Sequence, residues 1–193
     1  MSKTTLRKAI KDFEAPELRE LLLDVYTKSK EAKELLDFFA EPDIDKKLET
    51  YRTALTKEAR RYTRRAYSPR IVKLRSAIKR FQVFEPGSEA VAELMVHTTV
   101  TLLSIGRDNW LRERLYVQIQ KFIGETLDYL LLNNLLDDFM PRINKARESL
   151  SRIGAFANPL SRIMDAELSR IQKLRDETSS CLLYTSPSPR DRT

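Results

Sequence analysis

The stretch at residues 89–105, EAVAELMVHTTVTLLSI, constrains the fold more than any other part of the chain. Its apolar side chains cover nearly the whole circumference of a helix, and no charged residue follows Glu93 within it. A helix that is apolar on all sides is stable in water only when other elements surround it. We therefore expect a buried helix at the centre of the fold, with Leu94, Met95 and Leu102 away from solvent.

The rest of the sequence predicts helices that can surround this one. Glycine occurs only 4 times in 193 residues, apolar residues recur at a 3.6-residue period, and β-branched residues never alternate over a useful length. We expect an all-α fold without strands, with eight or nine helices packed as antiparallel neighbours or stacked in a HEAT-like array. Gly106 is expected to end the central helix and Asp108 to begin the next. Other boundaries are placed by Pro16, Ser29, Ser68 with Pro69, and Asn158 with Pro159.

Positive charge is concentrated in residues 57–80, which we call the basic segment. It contains ten Lys or Arg residues and one acidic residue, Glu58, whereas the whole chain has a net charge of +7. The pattern predicts two consecutive helices, the first with Tyr62 on its apolar face and the second beginning at Ser68. On the first, cations recur at i, i+3, i+4 and i+7 at Lys57, Arg60, Arg61 and Arg64. The candidate partner-binding residues are Lys57, Arg60, Arg61, Arg64, Arg65, Arg70, Lys73 and Arg80.

Several binding functions and one purely structural explanation are compatible with the basic segment. An acidic protein or an anionic membrane surface could also be the partner of its cations. A non-enzymatic helical interaction or scaffold module for a macromolecular partner is our first hypothesis, and binding of RNA or DNA through the basic segment is the second. Tyr67, near the turn, is a candidate for stacking on a base, whereas Tyr51 and Tyr62 are expected in the core. The structural explanation is that the charges are solvated or paired with acidic helices elsewhere in the chain.

Enzymatic chemistry has few candidate residues in this sequence. His97 is the only histidine, Cys181 is the only cysteine, and the glycines form no phosphate-binding fingerprint. We therefore expect no catalytic residue, no metal site and no cofactor, and a hydrolase that uses His97 is the third hypothesis. His97 is expected to form a hydrogen bond with a backbone carbonyl or a threonine, and Thr101 lies four residues on.

The sequence also bears on location. The most apolar run, residues 127–136, is shorter than the roughly 18 residues that a membrane-spanning helix needs, and it contains Asp128. Residues 1–11 are already amphipathic and do not resemble a signal peptide. We expect a cytoplasmic protein without a membrane span, while the oligomeric state stays open.

Residues 181–193 differ in composition from the rest of the chain. The string CLLYTSPSPRD at 181–191 can be back-translated into a nucleotide sequence that resembles the end of a tagmentation sequencing adapter. We expect these residues to be a non-native, disordered tail and the natural C-terminus to be missing. The expected domain is then a single all-α domain over residues 1–180, with a net charge of +6, since the tail carries two arginines and one aspartate.

Two stretches resemble a known family. They are residues 6–38, LRKAIKDFEAPELRELLLDVYTKSKEAKELLDF, and residues 74–95, LRSAIKRFQVFEPGSEAVAELM. In these the chain resembles a bacterial family of small all-helical proteins known only as a domain of unknown function. The resemblance implies an all-α fold and carries over no activity and no site residues.

Overall fold

The computed structural model describes residues 2–63, 65–150, 152–153 and 156–184, and the side chains of residues 2–63, 65–150 and 158–177. Over these residues the chain forms nine helices, which confirms the predicted all-α class. The helices are α1 Lys3–Ala9, α2 Ala15–Lys28, α3 Lys30–Ala40, α4 Ile44–Ala59, α5 Ile71–Gln82, α6 Ser88–Asp108, α7 Glu113–Leu132, α8 Leu136–Glu148 and α9 Pro159–Tyr184.

Two short antiparallel hairpins interrupt the helices, so the expectation of a chain without strands is wrong at these two places. Each strand contains only two residues, which is too short to produce an alternating apolar pattern in the sequence. The strands are β1 Tyr62–Thr63 paired with β2 Ala66–Tyr67, and β3 Arg152–Ile153 paired with β4 Phe156–Ala157.

The chain divides into two compact units, residues 1–44 and residues 45–193. The single domain expected over residues 1–180 stays a prediction. In the first unit α2 packs against α3, and the Tyr26 hydroxyl donates a hydrogen bond of 2.8 Å to Asp37 Oδ1. Ser29 caps α3 as predicted, because its Oγ accepts a hydrogen bond from the Ala32 amide at 3.2 Å. None of the described residues 2–44 is fully buried.

In the second unit α6 lies at the centre, as the sequence predicts. It packs against α5, α7, α8 and α9, and Leu94, Met95 and Leu102 are all buried. The surrounding helices turn one apolar stripe each toward the interior, which is the arrangement expected for amphipathic helices around a wholly apolar one. The largest inward side chains of these stripes are Ile71, Leu74 and Phe81 on α5 and Ile119, Phe122 and Ile123 on α7.

Gly106 does not end α6, which continues to Asp108, and α7 begins only at Glu113. The glycine serves packing instead, since a Cβ at this position would clash with Leu160 Cδ1 on α9. Asn158 joins the same two helices: its Nδ2 donates to the Gly106 carbonyl at 2.8 Å, and its Oδ1 accepts from the Leu160 amide at 2.9 Å. The cap predicted from Asn158 is therefore confirmed, and the close approach of α6 and α9 explains why glycine is found here.

We expect Gly106→Ala to lower the free energy of unfolding by up to about 2 kcal/mol. Overpacking of a core costs about 1–3 kcal/mol, and the roughly 1 kcal/mol that alanine gains over glycine in a helix offsets only part of it. Urea unfolding of the wild type and the variant measures the difference. The double variant Gly106→Ala with Leu160→Ala lacks the clash. Its decrease in the free energy of unfolding should therefore be smaller than the sum of the decreases in the two single variants. A higher stability for Gly106→Ala alone would contradict the close contact.

Candidate functional site

The basic segment does not fold as two consecutive helices. The helix α4 ends at Ala59, and the chain then forms hairpin 62–67, consisting of β1 and β2, in which Tyr62 lies opposite Tyr67. The base of the hairpin is closed by a hydrogen bond of 2.8 Å from the Ser68 amide to the Arg61 carbonyl. The hairpin therefore stands between α4 and α5, and α5 begins at Ile71 rather than at Ser68.

The chemistry of the segment explains why the helix stops. Tyrosine and threonine at positions 62, 63 and 67 favour strands, and Pro69 disfavours the helical conformation at Ser68. The predicted helical stripe of cations is consequently wrong. Lys57 lies on α4, Arg60 and Arg61 follow its end, and Arg64 lies outside the described residues.

Two arginines of the basic segment form ion pairs with carboxylates. The Arg70 guanidinium binds the Glu58 carboxylate through two hydrogen bonds of 2.6 Å, which tie the start of α5 to the end of α4. This guanidinium, with a smaller contribution from the charge of Lys73, holds the pKa of Glu58 below its ordinary value. Arg75 Nε donates to Glu125 Oε2 on α7 at 2.7 Å. Arg70 and Arg75 therefore balance the two acidic groups within their reach.

Arg61 has a different role. Its side chain is half-buried, and Nη1 donates to the Ser68 carbonyl at 3.1 Å. This bond adds to the backbone bond between the same two residues, so Arg61 braces the hairpin. Arg80 is exposed on α5 and also has an interaction within the chain.

The other described cations of the basic segment are exposed, and no carboxylate partner is found for them among the described residues. Among the described residues no carboxylate forms an ion pair with any of them, whereas arginines elsewhere in the second unit, such as Arg147 and Arg175, are paired with aspartates. The predicted sites that the structure describes thus fall into two groups. Arg61, Arg70 and Arg80 have contacts within the chain, and Lys57, Arg60, Arg65 and Lys73 are exposed. Within the basic segment, the described and exposed cations without a carboxylate partner are Lys57, Arg60, Arg65, Lys73 and Lys79.

The relative exposure of the two hairpin tyrosines is the reverse of the predicted one. Tyr62, expected in the core, has 59% of its surface exposed, whereas Tyr67, the predicted stacking residue, is half-buried. The reason is that α4 ends before residue 62, so Tyr62 no longer continues the apolar face of that helix. The two rings meet edge to face, with centroids 5.1 Å apart and planes at 80°. Tyr51, in contrast, is buried against Phe81 as expected.

A second constellation, which the sequence analysis missed, joins α4, α6 and α8. We call it the polar cluster; it consists of Arg52, Thr56, Glu93, His97 and Arg142. The Glu93 carboxylate accepts hydrogen bonds from Arg52 Nη2 and from Arg142 Nη1, the latter at 2.6 Å. Its side chain is only 19% exposed, so two guanidiniums compensate one nearly buried carboxylate. The signal available in the sequence was the pair Glu93 and His97, four residues apart on an otherwise apolar helix.

The hydrogen bonds around His97 indicate which ring nitrogen carries a proton. The Thr56 hydroxyl donates its single proton to the Arg52 carbonyl at 2.9 Å, so its oxygen accepts at 2.7 Å from His97 Nε2. His97 Nε2 therefore carries a proton and is bonded to a threonine as predicted, although not to Thr101. The Thr101 hydroxyl instead donates to the His97 backbone carbonyl at 2.8 Å.

This geometry bears on catalysis and on metal binding. Thr56 Oγ1 accepts a hydrogen bond from His97 Nε2 rather than donating one to it, so the pair is oriented opposite to a nucleophile and its base. Across the described residues no group of three or more His, Cys, Asp and Glu side chains is arranged to hold a metal ion. The arrangement instead holds three helices together through polar contacts.

Burial lowers the pKa of His97, and the charges of Arg52 and Arg142 lower it further, against an opposing effect of Glu93 and Glu49. The folded state binds the proton of His97 more weakly than the unfolded state. The contribution of this group to the free energy of unfolding is therefore fully present above the ordinary pKa of 6.5 and is lost as the pH falls below it. We expect the free energy of unfolding to decrease between pH 7.5 and pH 5.5. Urea unfolding at several pH values measures this slope.

The control for this prediction is His97→Gln, whose amide can still donate to Thr56 but does not titrate. Its free energy of unfolding should change less than that of the wild type over the same pH range. Equal slopes for the two proteins would mean that other groups cause the loss, and the assigned role of His97 would be wrong.

Together, the fold and the site define an all-α protein with a buried central helix and with exposed cations in the basic segment. The chain belongs to the Family of unknown function (DUF6155), whose model matches residues 1–166. No curated protein and no solved structure matches the chain. The expected membership of a family of unknown function is thus confirmed, while the bacterial origin, the cytoplasmic location and the adapter-derived tail stay predictions. None of the described helices is long and apolar enough to cross a membrane.

Proposed function

We propose that the protein is a non-enzymatic helical module that binds nucleic acid through the basic segment. One observation carries the proposal: five cations around hairpin 62–67 and along α5 are exposed without a carboxylate partner among the described residues. In the same unit, Arg147 on α8 and Arg170 and Arg175 on α9 are each paired with a carboxylate. Positive charge that is not used within the fold is suited to a polyanionic partner.

The local structure favours a role in phosphate binding over the alternative that these charges are merely solvated. Glu58 with Arg70, and Arg61 with Ser68, hold the hairpin and the start of α5 in a defined arrangement. Cations on a braced hairpin lose less conformational freedom on binding than cations on a loose loop. Several cations that neutralise adjacent phosphates release counterions, which gives affinity without base contacts.

The role assigned to His97 supports a binding function over the hydrolase hypothesis. Its Nε2 proton is used by Thr56, and the half-buried ring is flanked by arginines that have their own partner in Glu93. These contacts are accounted for by helix packing alone. The exposed cations of the basic segment narrow the broader hypothesis, a scaffold for an unspecified macromolecule, to a module whose partner is a polyanion.

Fluorescence anisotropy tests the proposal with a labelled single-stranded oligonucleotide and a duplex of the same sequence. We expect binding at about 50 mM salt that weakens roughly 100-fold at about 200 mM, as five phosphate contacts on a single strand require. Polyglutamate of matched charge serves as the competitor. Absence of binding at low salt, or equally good displacement by polyglutamate, would overturn the proposal, and the second result would indicate an acidic protein as the partner.

A further inference from the structure

The most exposed aromatic ring of the basic segment stands on hairpin 62–67. Tyr62 is 59% exposed and makes an edge-to-face contact with Tyr67. In such a contact at most one face of the Tyr62 ring is covered by Tyr67, so the other face remains available to a flat partner. Tyr67 is half-buried and thus limits the movement of the exposed ring.

Two arginines close to Tyr62 in the sequence carry the positive charge that a nucleotide phosphate requires. Arg65 follows in the same hairpin, and Arg60 precedes it directly after α4; both are exposed and unpaired among the described residues. A nucleotide presents a flat base on one side and a phosphate on the other. An exposed aromatic ring with exposed arginines two and three residues away in the sequence matches both parts of a single nucleotide.

The exposed ring also distinguishes between forms of nucleic acid. In a duplex each base is stacked between its neighbours and offers only its edges to a protein. In a single strand the faces of the bases are available, and aromatic side chains bind them with little regard to sequence. A ring that projects from a two-residue strand is therefore useful for an unpaired base and of little use for a duplex.

We propose that hairpin 62–67 makes the protein selective for single-stranded nucleic acid, with one unpaired base stacked on the free face of Tyr62 and the adjacent phosphates bound by Arg60 and Arg65. This inference rests on the proposed function and adds the substrate class. Tyr67 is a positioning residue, since it acts by holding the Tyr62 ring.

The test compares Tyr62→Ala with Tyr62→Phe on the single-stranded and duplex oligonucleotides at about 50 mM salt. We expect Tyr62→Ala to weaken single-strand binding by roughly 5- to 150-fold, the usual effect of losing one base–aromatic stack, and Tyr62→Phe to retain it. Duplex binding should change less than about twofold in both variants. Trp110→Ala is the matched control, because Trp110 is an equally exposed aromatic ring (58%) outside the basic segment and should affect neither ligand.

The outcomes separate this inference from the proposed function. If the wild type binds both ligands equally and Tyr62→Ala changes neither, stacking is excluded while nucleic-acid binding stands. An equal loss on both ligands would show a role in the shape of the hairpin and would also overturn the single-strand selectivity. If neither ligand binds the wild type, the proposed function fails as well.

Discussion

Replacing Arg60 and Arg65 together by glutamate will reduce nucleic-acid affinity by roughly 100-fold or more at about 50 mM salt. Both side chains are exposed and form no ion pair among the described residues, so the change removes two phosphate contacts and adds two repulsive charges. It will also reduce the slope of log affinity against log salt by about 1.5 to 2, since each lost contact removes roughly one released counterion. The same anisotropy titrations at several salt concentrations measure both quantities.

The matched control is Arg112→Glu with Arg114→Glu. These two arginines are also exposed, and the pair of substitutions changes the net charge by the same amount. They lie at the start of α7, more than ten residues before Glu125, the residue that Arg75 contacts, and so about 17 Å or more from it along the helix. Affinity should fall only slightly and the salt slope should stay unchanged. An equal loss in both double variants would mean that net charge, rather than the basic segment, accounts for binding.

The largest loss of stability is expected for Phe122→Ala, at about 3–5 kcal/mol. The ring on α7 is 1% exposed, belongs to the apolar stripe that faces α6, and has the Arg75 guanidinium 5.9 Å from its centroid. Removing it leaves a cavity that the close-packed interior can fill only in part. This loss is a large fraction of the roughly 5–15 kcal/mol by which a typical domain is stable. Guanidinium unfolding monitored by circular dichroism measures it.

Val117→Ala is the control on the same helix, since Val117 is more than half exposed. Its effect should stay within about 0.5 kcal/mol, as for most surface substitutions. A loss below about 1 kcal/mol for Phe122→Ala would contradict the packing of α7 against α6.

Most of the helices could be predicted because their signals are local. The cap at Ser29 and the cap at Asn158 each depend on a side chain and an amide two or three residues apart, and both are confirmed. Gly106 was misread because glycine serves two purposes, ending a helix or admitting a neighbouring helix. Only the position of Leu160, more than fifty residues later in the chain, decides between them.

The sequence predicted the position of the candidate site in the chain, but not its secondary structure. The concentration of charge in the basic segment is a property of composition, and it needs no folding to be seen. The hairpin was missed because Tyr62 follows Leu55 at seven residues, a spacing that continues a helix, and because two-residue strands leave no alternating pattern. The polar cluster was missed because Arg52 and Arg142 reach Glu93 from 41 and 49 residues away in the sequence.

By itself the sequence determined the all-α class, the burial of most apolar side chains in residues 89–105 and the excess of positive charge in residues 57–80. These properties follow from hydrophobic periodicity and composition, which act over a few helical turns. Only the tertiary structure decided which cations have a carboxylate partner, which tyrosine is exposed and which threonine binds His97. Those choices depend on contacts between residues distant in the chain, and such contacts exist only after the helices have packed.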